Sequence, residues 1–499
     1  MSLEAWIPLL VLCSSLLPGL MIFGLDESRV RLRTTLNLGG ALTKLALVGV
    51  MFWGVSQGIE YEVRISFLPG LDLALRAGPL ALLFLVLSSL LWLVTTIYAI
   101  GYLEGSPHRS RFFGFFSLCV TATVGVAMAA DLLTFLLFYE LLTLATYPLV
   151  VHRGTEVARR AGQVYLAYTI GGGALMLFGI VWLYTLTGTL EFTPLGFVSE
   201  LDPTTHPALI LIFIFLITGL GVKAALVPLH VWLPMAMVAP APVSALLHAV
   251  AVVKAGAFGI VRVVYEVFGV EFSAGLGVTL PLAVLASITI LYGSLRALFQ
   301  DDLKRRLAFS TVSQVSYIVL GVAIASPIAT VGGLVHLIHQ GLMKITLFFC
   351  AGNLAETLGV HKVSEMNGAG QRMPWTMVAF TVGAFGMIGA PPVAGFITKW
   401  YLGLGALDAG QHWVLLVLAT SSLLNAAYFL PILHAAWFRE PPAQWPAERS
   451  LGRGETSRAL LWPPIITAVA ALLAGLLASL PFSPLEWARF IAEREFRPL

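Results

Sequence analysis

The sequence predicts an all-α polytopic membrane protein of about fourteen transmembrane helices, with two inverted repeats and two discontinuous helices. Three observations carry this: bulk composition, apolar runs of spanning length, and alternation of charge between the connecting loops. Hydrophobic residues make up 58% of the 499 and charged residues 11%, with mean hydropathy +0.89. No soluble globular domain approaches that balance. Runs long enough to cross about 30 Å of hydrocarbon fall near 3–24, 35–56, 78–103, 112–130, 132–151, 162–187, 207–228, 241–266, 274–298, 307–325, 329–354, 374–400, 411–438 and 460–481.

The loops support this count. Alternate loops carry Arg29, Arg31 and Arg33; Arg109 and Arg111; Arg153, Arg159 and Arg160; Arg296, Lys304, Arg305 and Arg306; Lys362 and Arg372; and Arg439, Arg449, Arg453 and Arg458. The opposite loops are poor in basic residues and carry Glu60, Glu62, Asp72, Glu191, Glu200, Asp202 and Glu271. The positive-inside rule makes the first set cytoplasmic. With an even number of spans, both termini are then expected on the extracytoplasmic side of a cell membrane. The segment Met1–Trp6 lacks a basic stretch and carries Glu4, so it reads as a retained first helix rather than a signal peptide.

Composition also excludes function classes. The net charge of +3 is too small and too scattered for a nucleic-acid partner. Cys13, Cys119 and Cys350 lie in apolar runs without CxxC or Cys/His spacing, so neither a disulfide framework nor a metal site is expected. Nothing resembles a phosphate loop, and no haem, flavin or quinone cofactor can be argued. Trp6, Trp92, Trp462 and Trp487 near span ends read as interfacial anchors, and Asp301 and Asp302 as a solvated helix cap.

Two spans read as broken. The seventh runs from Gly219 through Lys223 to Pro228, His230 and Pro234, with Pro240 and Pro242 beyond; the twelfth runs from Gly383 through Gly389, Pro391, Pro392 and Gly395 to Lys399. Proline removes a backbone donor and clashes with the preceding turn. In lipid such a break survives only where neighbours or water satisfy the freed groups. A lysine beside each break, five spans apart, suggests paired discontinuous helices in two internal repeats, and the odd spacing makes those repeats inverted.

Chemistry is carried by ionisable residues inside the apolar runs: Lys44, Glu140, Lys223, Lys254, Lys344 and Lys399. Each costs roughly 3 kcal/mol at mid-bilayer depth on insertion scales, so six represent on the order of 15 to 20 kcal/mol unless they pair or line a wet cavity. A charge or proton pathway is the default reading. Glu140 needs a cation, and Lys223 is the candidate. Desolvation raises a carboxyl pKa and lowers a lysine pKa while pairing opposes both, so a pair that forms and breaks takes up and releases protons. A static ion pair locking two helices is the alternative. In the eleventh run His336, Gln340 and Lys344 recur at intervals of four, one helical face, suited to passing a proton. His248, in the same run as Lys254, and His339 are equally open to a helix-to-helix hydrogen bond. Lys44, without polar neighbours in sequence, reads as a snorkelling side chain.

These residues, in this order, resemble the proton-conducting antiporter-like subunits shared by Mrp-type sodium/proton antiporters, respiratory complex I and membrane-bound hydrogenases. The resemblance runs from about residue 75 to 440. It rests on Phe138–Thr143 around Glu140, Lys223 with His230 to Pro234, Ala239 to His248, Asp301 to Lys304 before Phe309, the His336–Lys344 stretch, and Pro391 to Lys399. It implies repeats of five helices (112–266 and 274–438) between an N-terminal three-helix segment (1–103) and a last helix (460–481). It also implies a proton route: Glu140 and Lys223 in one half-channel, Lys254 with His336 to Lys344 across the centre, Lys399 in the other, and His248, His339 and His230 beside it. Lysine at 399 is similar to the D-type member of Mrp antiporters, where one group of complex I subunits has glutamate. With the chain ending at Leu499, no long lateral helix is expected. The family's second histidine on the eleventh span is replaced by Gln340, with His339 displaced by one residue.

The expected function is therefore proton translocation in a multisubunit sodium/proton antiporter, with other membrane subunits and the lipid bilayer as partners. It is a transporter subunit rather than an enzyme. The alternatives are a proton-pumping membrane arm of a redox-driven oxidoreductase and the proton channel of a bicarbonate-uptake complex.

Overall fold

The computed structural model describes residues 3–68, 71–450 and 454–496. The chain enters with α1 (Leu3–Phe23) and α2 (Val30–Ser56), makes a hairpin of β1 (Tyr61–Leu68) and β2 (Leu71–Ala77), and continues through α3 (Pro79–Tyr102), α4 (Arg109–Met128), α5 (Leu132–Val150) and α6 (Glu156–Thr187). Then come α7 (His206–Lys223), α8 (Trp232–Met235), α9 (Ala241–Ala249), α10 (Val252–Arg262), α11 (Val270–Gly275), α12 (Thr279–Leu298), α13 (Leu303–Ala323) and α14 (Pro327–Leu358). The last are α15 (Ala369–Arg372), α16 (Pro374–Ile388), α17 (Ala394–Asp408), α18 (Trp413–Phe438), α19 (Arg458–Leu476) and α20 (Pro484–Phe496).

Among the described residues, 13 helical segments are long and apolar enough to span a membrane. They match thirteen of the fourteen expected runs. The other, 374–400, is the pair α16 and α17 on either side of Gly389, whose φ of +92° ends the first helix. The chain is a multi-pass membrane protein. The seventh run stops at Lys223 and continues as turns and the short α8, as its prolines require. A third break was not expected: the eighth run parts at Val250 and Ala251, between α9 and α10.

The fold is not purely α-helical. Tyr61 to Ser66 alternate, with Tyr61 and Val63 buried and Arg64 exposed, the period of a half-buried strand. The hairpin pairs Val63 with Leu75 and Glu62 with Arg76. It rests on the junction of α4 and α5, where Ala130 N donates to Ala74 O at 2.8 Å and Ala74 N to Thr134 Oγ1 at 3.0 Å. Arg64 ties it to Glu191. The short amphipathic α20 was also unforeseen; its Trp487 is buried and donates to Pro79 O at 2.9 Å, so Trp487 is a packing residue rather than an exposed anchor.

Burial sorts the helices into an inner and an outer set. α9, α10, α13 and α14 are almost wholly enclosed, whereas α1, α2, α6 and α19 show a broad apolar face outward. α13 and α14 approach closely at two glycines: a Cβ on Gly321 would sit 2.6 Å from Gly333 Cα. Small residues permit such backbone contact where no hydrophobic effect drives helices together. The inner helices carry Lys254, His336, His339 and Lys344. Lys44 does not snorkel: it is fully buried, donating to Ser15 Oγ at 2.6 Å, with its amine 4.9 Å from the centre of the buried Trp92 ring. Trp92 is thus a core residue too.

At the mouth of the first loop, Glu27 caps α4 by accepting from Ser110 N at 2.9 Å and Arg109 N at 3.1 Å, with Arg33 and Arg109 each 3.6 Å away. Burial pushes its carboxyl up, but the two N–H donors and the two guanidiniums outweigh it and hold it below the usual range. Its stabilising contribution is therefore present above about pH 4.5 and lost as the pH falls through its lowered value. Glu27→Ala is expected to cost about 1 kcal/mol at neutral pH, and in acid the melting temperatures of variant and wild type should converge.

Candidate functional site: a buried lysine and histidine chain

α7 ends at Lys223, whose side chain is fully buried and leads back to α5. Its amine donates to the Tyr139 carbonyl, lies 3.3 Å from the centre of the Tyr139 ring and is 3.9 Å from Glu140 Oε1. The expected pair is present, and it is loose. Glu140 Oε1 has no hydrogen-bond partner among the described residues, and 32% of the side chain is exposed on the chain's outer surface. Gly173 on α6 makes the room: a Cβ there would run into the carboxylate. The break after α7 is satisfied from within, since Tyr139 OH donates to Gly219 O at 3.2 Å and Trp232 Nε1 to Val222 O at 2.7 Å. His230 lies past the break, edge-on to Tyr292 at 5.0 Å.

Lys254 on α10 crosses to α14, donating to Leu337 O at 2.7 Å. On α14 the expected stripe divides. Successive steps of four residues turn about 400°, so each drifts about 40° around the axis. His336 accordingly faces α17, Gln340 faces α9 and Lys344 faces α13. The displaced His339 joins His336: their Nδ1 atoms lie 3.2 and 3.1 Å from one hydroxyl, Thr398 Oγ1. Gln340 donates to His248 O at 3.4 Å. Among the described residues the His248 side chain has no hydrogen-bond partner; its ring stacks on Phe348 at 4.5 Å.

Lys344 donates to Ser310 Oγ at 2.6 Å, and a polar cluster continues from there. Ser310 contacts Tyr428 OH at 2.8 Å, Tyr428 donates to Asn425 Oδ1 at 2.7 Å, and Asn425 Nδ2 donates to Met387 O at 2.9 Å. Met387 and Ile388 end α16, and Lys399 covers that end, donating to Ile388 O at 2.6 Å, Ser422 Oγ at 2.7 Å and Met387 O at 3.4 Å. A cation at a helix C-terminus meets the negative end of the dipole. The break therefore positions the lysine as much as the lysine seals the break. Tyr139, Ser310, Thr398, Asn425 and Tyr428 were missed in the sequence. Asn425, the one amide in α18, carried a readable signal.

Residues 129–425, more than half of the chain, match the family described as "NADH:quinone oxidoreductase/Mrp antiporter, TM". The chain belongs to that family. It is 37% identical over 425 residues to the N chain of the NADH-quinone oxidoreductase of Desulforudis audaxviator, covering 82% of this chain and 83% of that protein. It is 28% identical to the D chain of the Na(+)/H(+) antiporter of Bacillus subtilis, covering 87% of each. A chain of the Mrp complex from Dietzia sp. superposes with a TM-score of 0.87 at 26% identity, covering 100% of this chain and 98% of that one. It is an antiporter-like membrane subunit, and its relatives are subunits of multisubunit membrane complexes.

Because the carboxylate end of Glu140 can swing outward, Gly173→Ala should loosen the pair without unfolding the chain. A double-mutant cycle of Glu140→Gln and Lys223→Met on thermal unfolding should give a coupling of about 1–3 kcal/mol, falling below about 0.5 kcal/mol in the Gly173→Ala background.

Proposed function

We propose that this chain translocates protons within a multisubunit monovalent cation (sodium)/proton antiporter, through Glu140, Lys223, Lys254, the His336–Lys344 stretch and Lys399. The observation that carries this is the Lys223–Glu140 pair: a fully buried amine 3.9 Å from a carboxylate with an unpartnered oxygen. Such a pair holds charge without being locked. Closing it stabilises the ammonium and the carboxylate together; opening it leaves a buried amine on a carbonyl and an aromatic ring, ready to lose a proton. Removing one partner of a buried pair outright costs about 3–5 kcal/mol, which bounds the leverage of each opening on the next site. Sodium prefers hard oxygen ligands, and the buried ionisable groups here are mostly lysine and histidine. The coupled cation is therefore assigned to a site that partner subunits complete.

The exposed third of Glu140 supports a partner. A charged side chain partly open to lipid costs up to roughly 3 kcal/mol, and a neighbouring subunit packed on α5 and α6 lowers that cost. We place both termini on the extracytoplasmic side and assign the halves 112–266 and 274–438 as the two inverted repeats, with 1–103 and 460–481 outside them. A second reading, a proton-pumping subunit of an oxidoreductase, is favoured by the 37% identity to the N chain of such an enzyme; there the same route is driven by electron transfer in other chains.

Sodium-driven proton flux in everted vesicles from an antiporter-deficient host, carrying the chain with its partner subunits, separates the two. Flux is expected in wild type. Lys223→Ala, Glu140→Ala and Lys399→Ala should each lower it at least about tenfold, a barrier of roughly 1.4 kcal/mol or more, with assembly intact. Lys44→Met should stay near wild type. Wild-type flux in Glu140→Ala would sink the pair mechanism, and a sodium-insensitive intact complex would favour the redox reading.

A further inference from the structure

The hydroxyl of Thr398 touches two imidazoles at once, and hydrogen-bond bookkeeping makes that contact informative. His336 Nδ1 and His339 Nδ1 lie 3.1 and 3.2 Å from Thr398 Oγ1, and all three side chains are buried. A hydroxyl has one proton to donate. Among the described residues Thr398 Oγ1 has no other hydrogen-bond partner, so its proton must point at one of the two rings. The other ring must then donate its own Nδ1–H to the oxygen. Two neutral rings on this hydroxyl therefore hold opposite tautomers. Among the described residues neither Nε2 atom has a hydrogen-bond partner.

We propose that Thr398 is a proton-transfer bridge between His336 and His339, inside the route assigned above and resting on that assignment. A proton arriving at Nε2 of the ring that donates to the hydroxyl makes it an imidazolium. Its Nδ1 proton passes to Thr398 Oγ1, the original hydroxyl proton passes to Nδ1 of the second ring, and that ring releases its Nε2 proton. One proton enters, one leaves, and no net charge remains. The two tautomers have now exchanged, and the hydroxyl points at the first ring. Another proton can follow in the same direction only after the rings and hydroxyl have reset, so the bridge passes protons one at a time. Its surroundings suit a central link. Lys254 bonds Leu337 O, on the same turn of α14 as both histidines, and Lys399 follows Thr398 on α17. The bridge also answers the displaced histidine: spaced three residues apart, His336 and His339 converge on one atom of the neighbouring helix.

The test uses the assembled complex in everted vesicles, with Lys223→Ala assayed alongside. Thr398→Val keeps the shape and removes the hydroxyl; Thr398→Ser restores it. Thr398→Val should lower proton flux at least about tenfold, the lower end for losing a positioned proton-transfer group being nearer a hundredfold. Thr398→Ser should stay within about twofold of wild type, with equal assembly of all three. Isotope-edited infrared spectra with labelled histidine provide a readout independent of flux. Relative to wild type, Thr398→Val should change the balance of Nδ1–H and Nε2–H bands, and Thr398→Ser should not. Wild-type flux in Thr398→Val, or equal loss in the valine and serine variants, would overturn the bridge while a defect in Lys223→Ala still upheld the proposed route. If the wild-type complex moves no protons, the proposed function fails by itself. The bridging hydrogen bonds then stand or fall on the infrared comparison, and identical valine and wild-type spectra overturn them.

Discussion

Everything in this fold follows from the scarcity of partners for a charged amine in a medium without water. The four lysines of the central chain solve it alike, each by donating to a backbone carbonyl: Lys223 to Tyr139, Lys254 to Leu337, Lys344 to Leu307 and Lys399 to Ile388. A carboxylate opposite each would hold the amine more tightly, because breaking a buried ion pair leaves an uncompensated charge. Carbonyls are weaker and interchangeable hosts. They keep an amine satisfied in either protonation state, since a neutral amine still donates. Among the described residues only Glu140 supplies these lysines with a full countercharge, and it stands nearly 4 Å off, at the edge of the chain.

The broken helices belong to the same economy of partners. An intact helix has no spare carbonyl of full strength. An interrupted one exposes several, and with them the negative end of its dipole. At the end of α16 the freed carbonyls of Met387 and Ile388 are shared among Lys399, Asn425 and Gln314. At the end of α7 the freed carbonyls of Leu220, Gly221 and Val222 are closed by the N–H groups of Ala224, Leu226 and Ala225, with Trp232 also on Val222, which leaves Lys223 to reach across to α5. The two breaks thus carry a lysine in different ways, one covering its own break and the other released from it.

What was legible in the sequence was whatever stood out against an apolar background. Lysines and prolines inside spans are rare enough to be read one by one, and the loops' charge alternation gave the spans their order. What stayed hidden was low in contrast. Thr398 and Ser310 are two of many hydroxyls in the spans, a large share of which bond their own preceding turn, as Thr311 and Thr346 do. Their role depends on which helix lies opposite, which no pattern along one helix contains. The break at Val250 and Ala251 has neither proline nor glycine to announce it. Lys44 was misread because its partners, Ser15 and Trp92, sit on helices far away in sequence. The hairpin was passed over as an acidic loop, although Tyr61 to Ser66 alternate as a strand should.

The stripe on α14 shows why position along a helix is a poor guide to a path between helices. His336, Gln340 and Lys344 are neighbours in sequence pattern, yet they address α17, α9 and α13. The proposed proton route therefore does not run along α14; it passes between α14 and each flanking element in turn. Two of those elements are interrupted where they meet it: α9 ends at Ala249 beside Gly341, and α16 gives way to α17 at Gly389. α13 and α14 are locked to each other at Gly321 and Gly333. Movement at the centre is therefore confined to the interrupted partners and to side-chain rotors. Those segments can rearrange without breaking an intact helical ladder. The rigid helices fix where the groups stand, and the breaks beside them fix which groups can move.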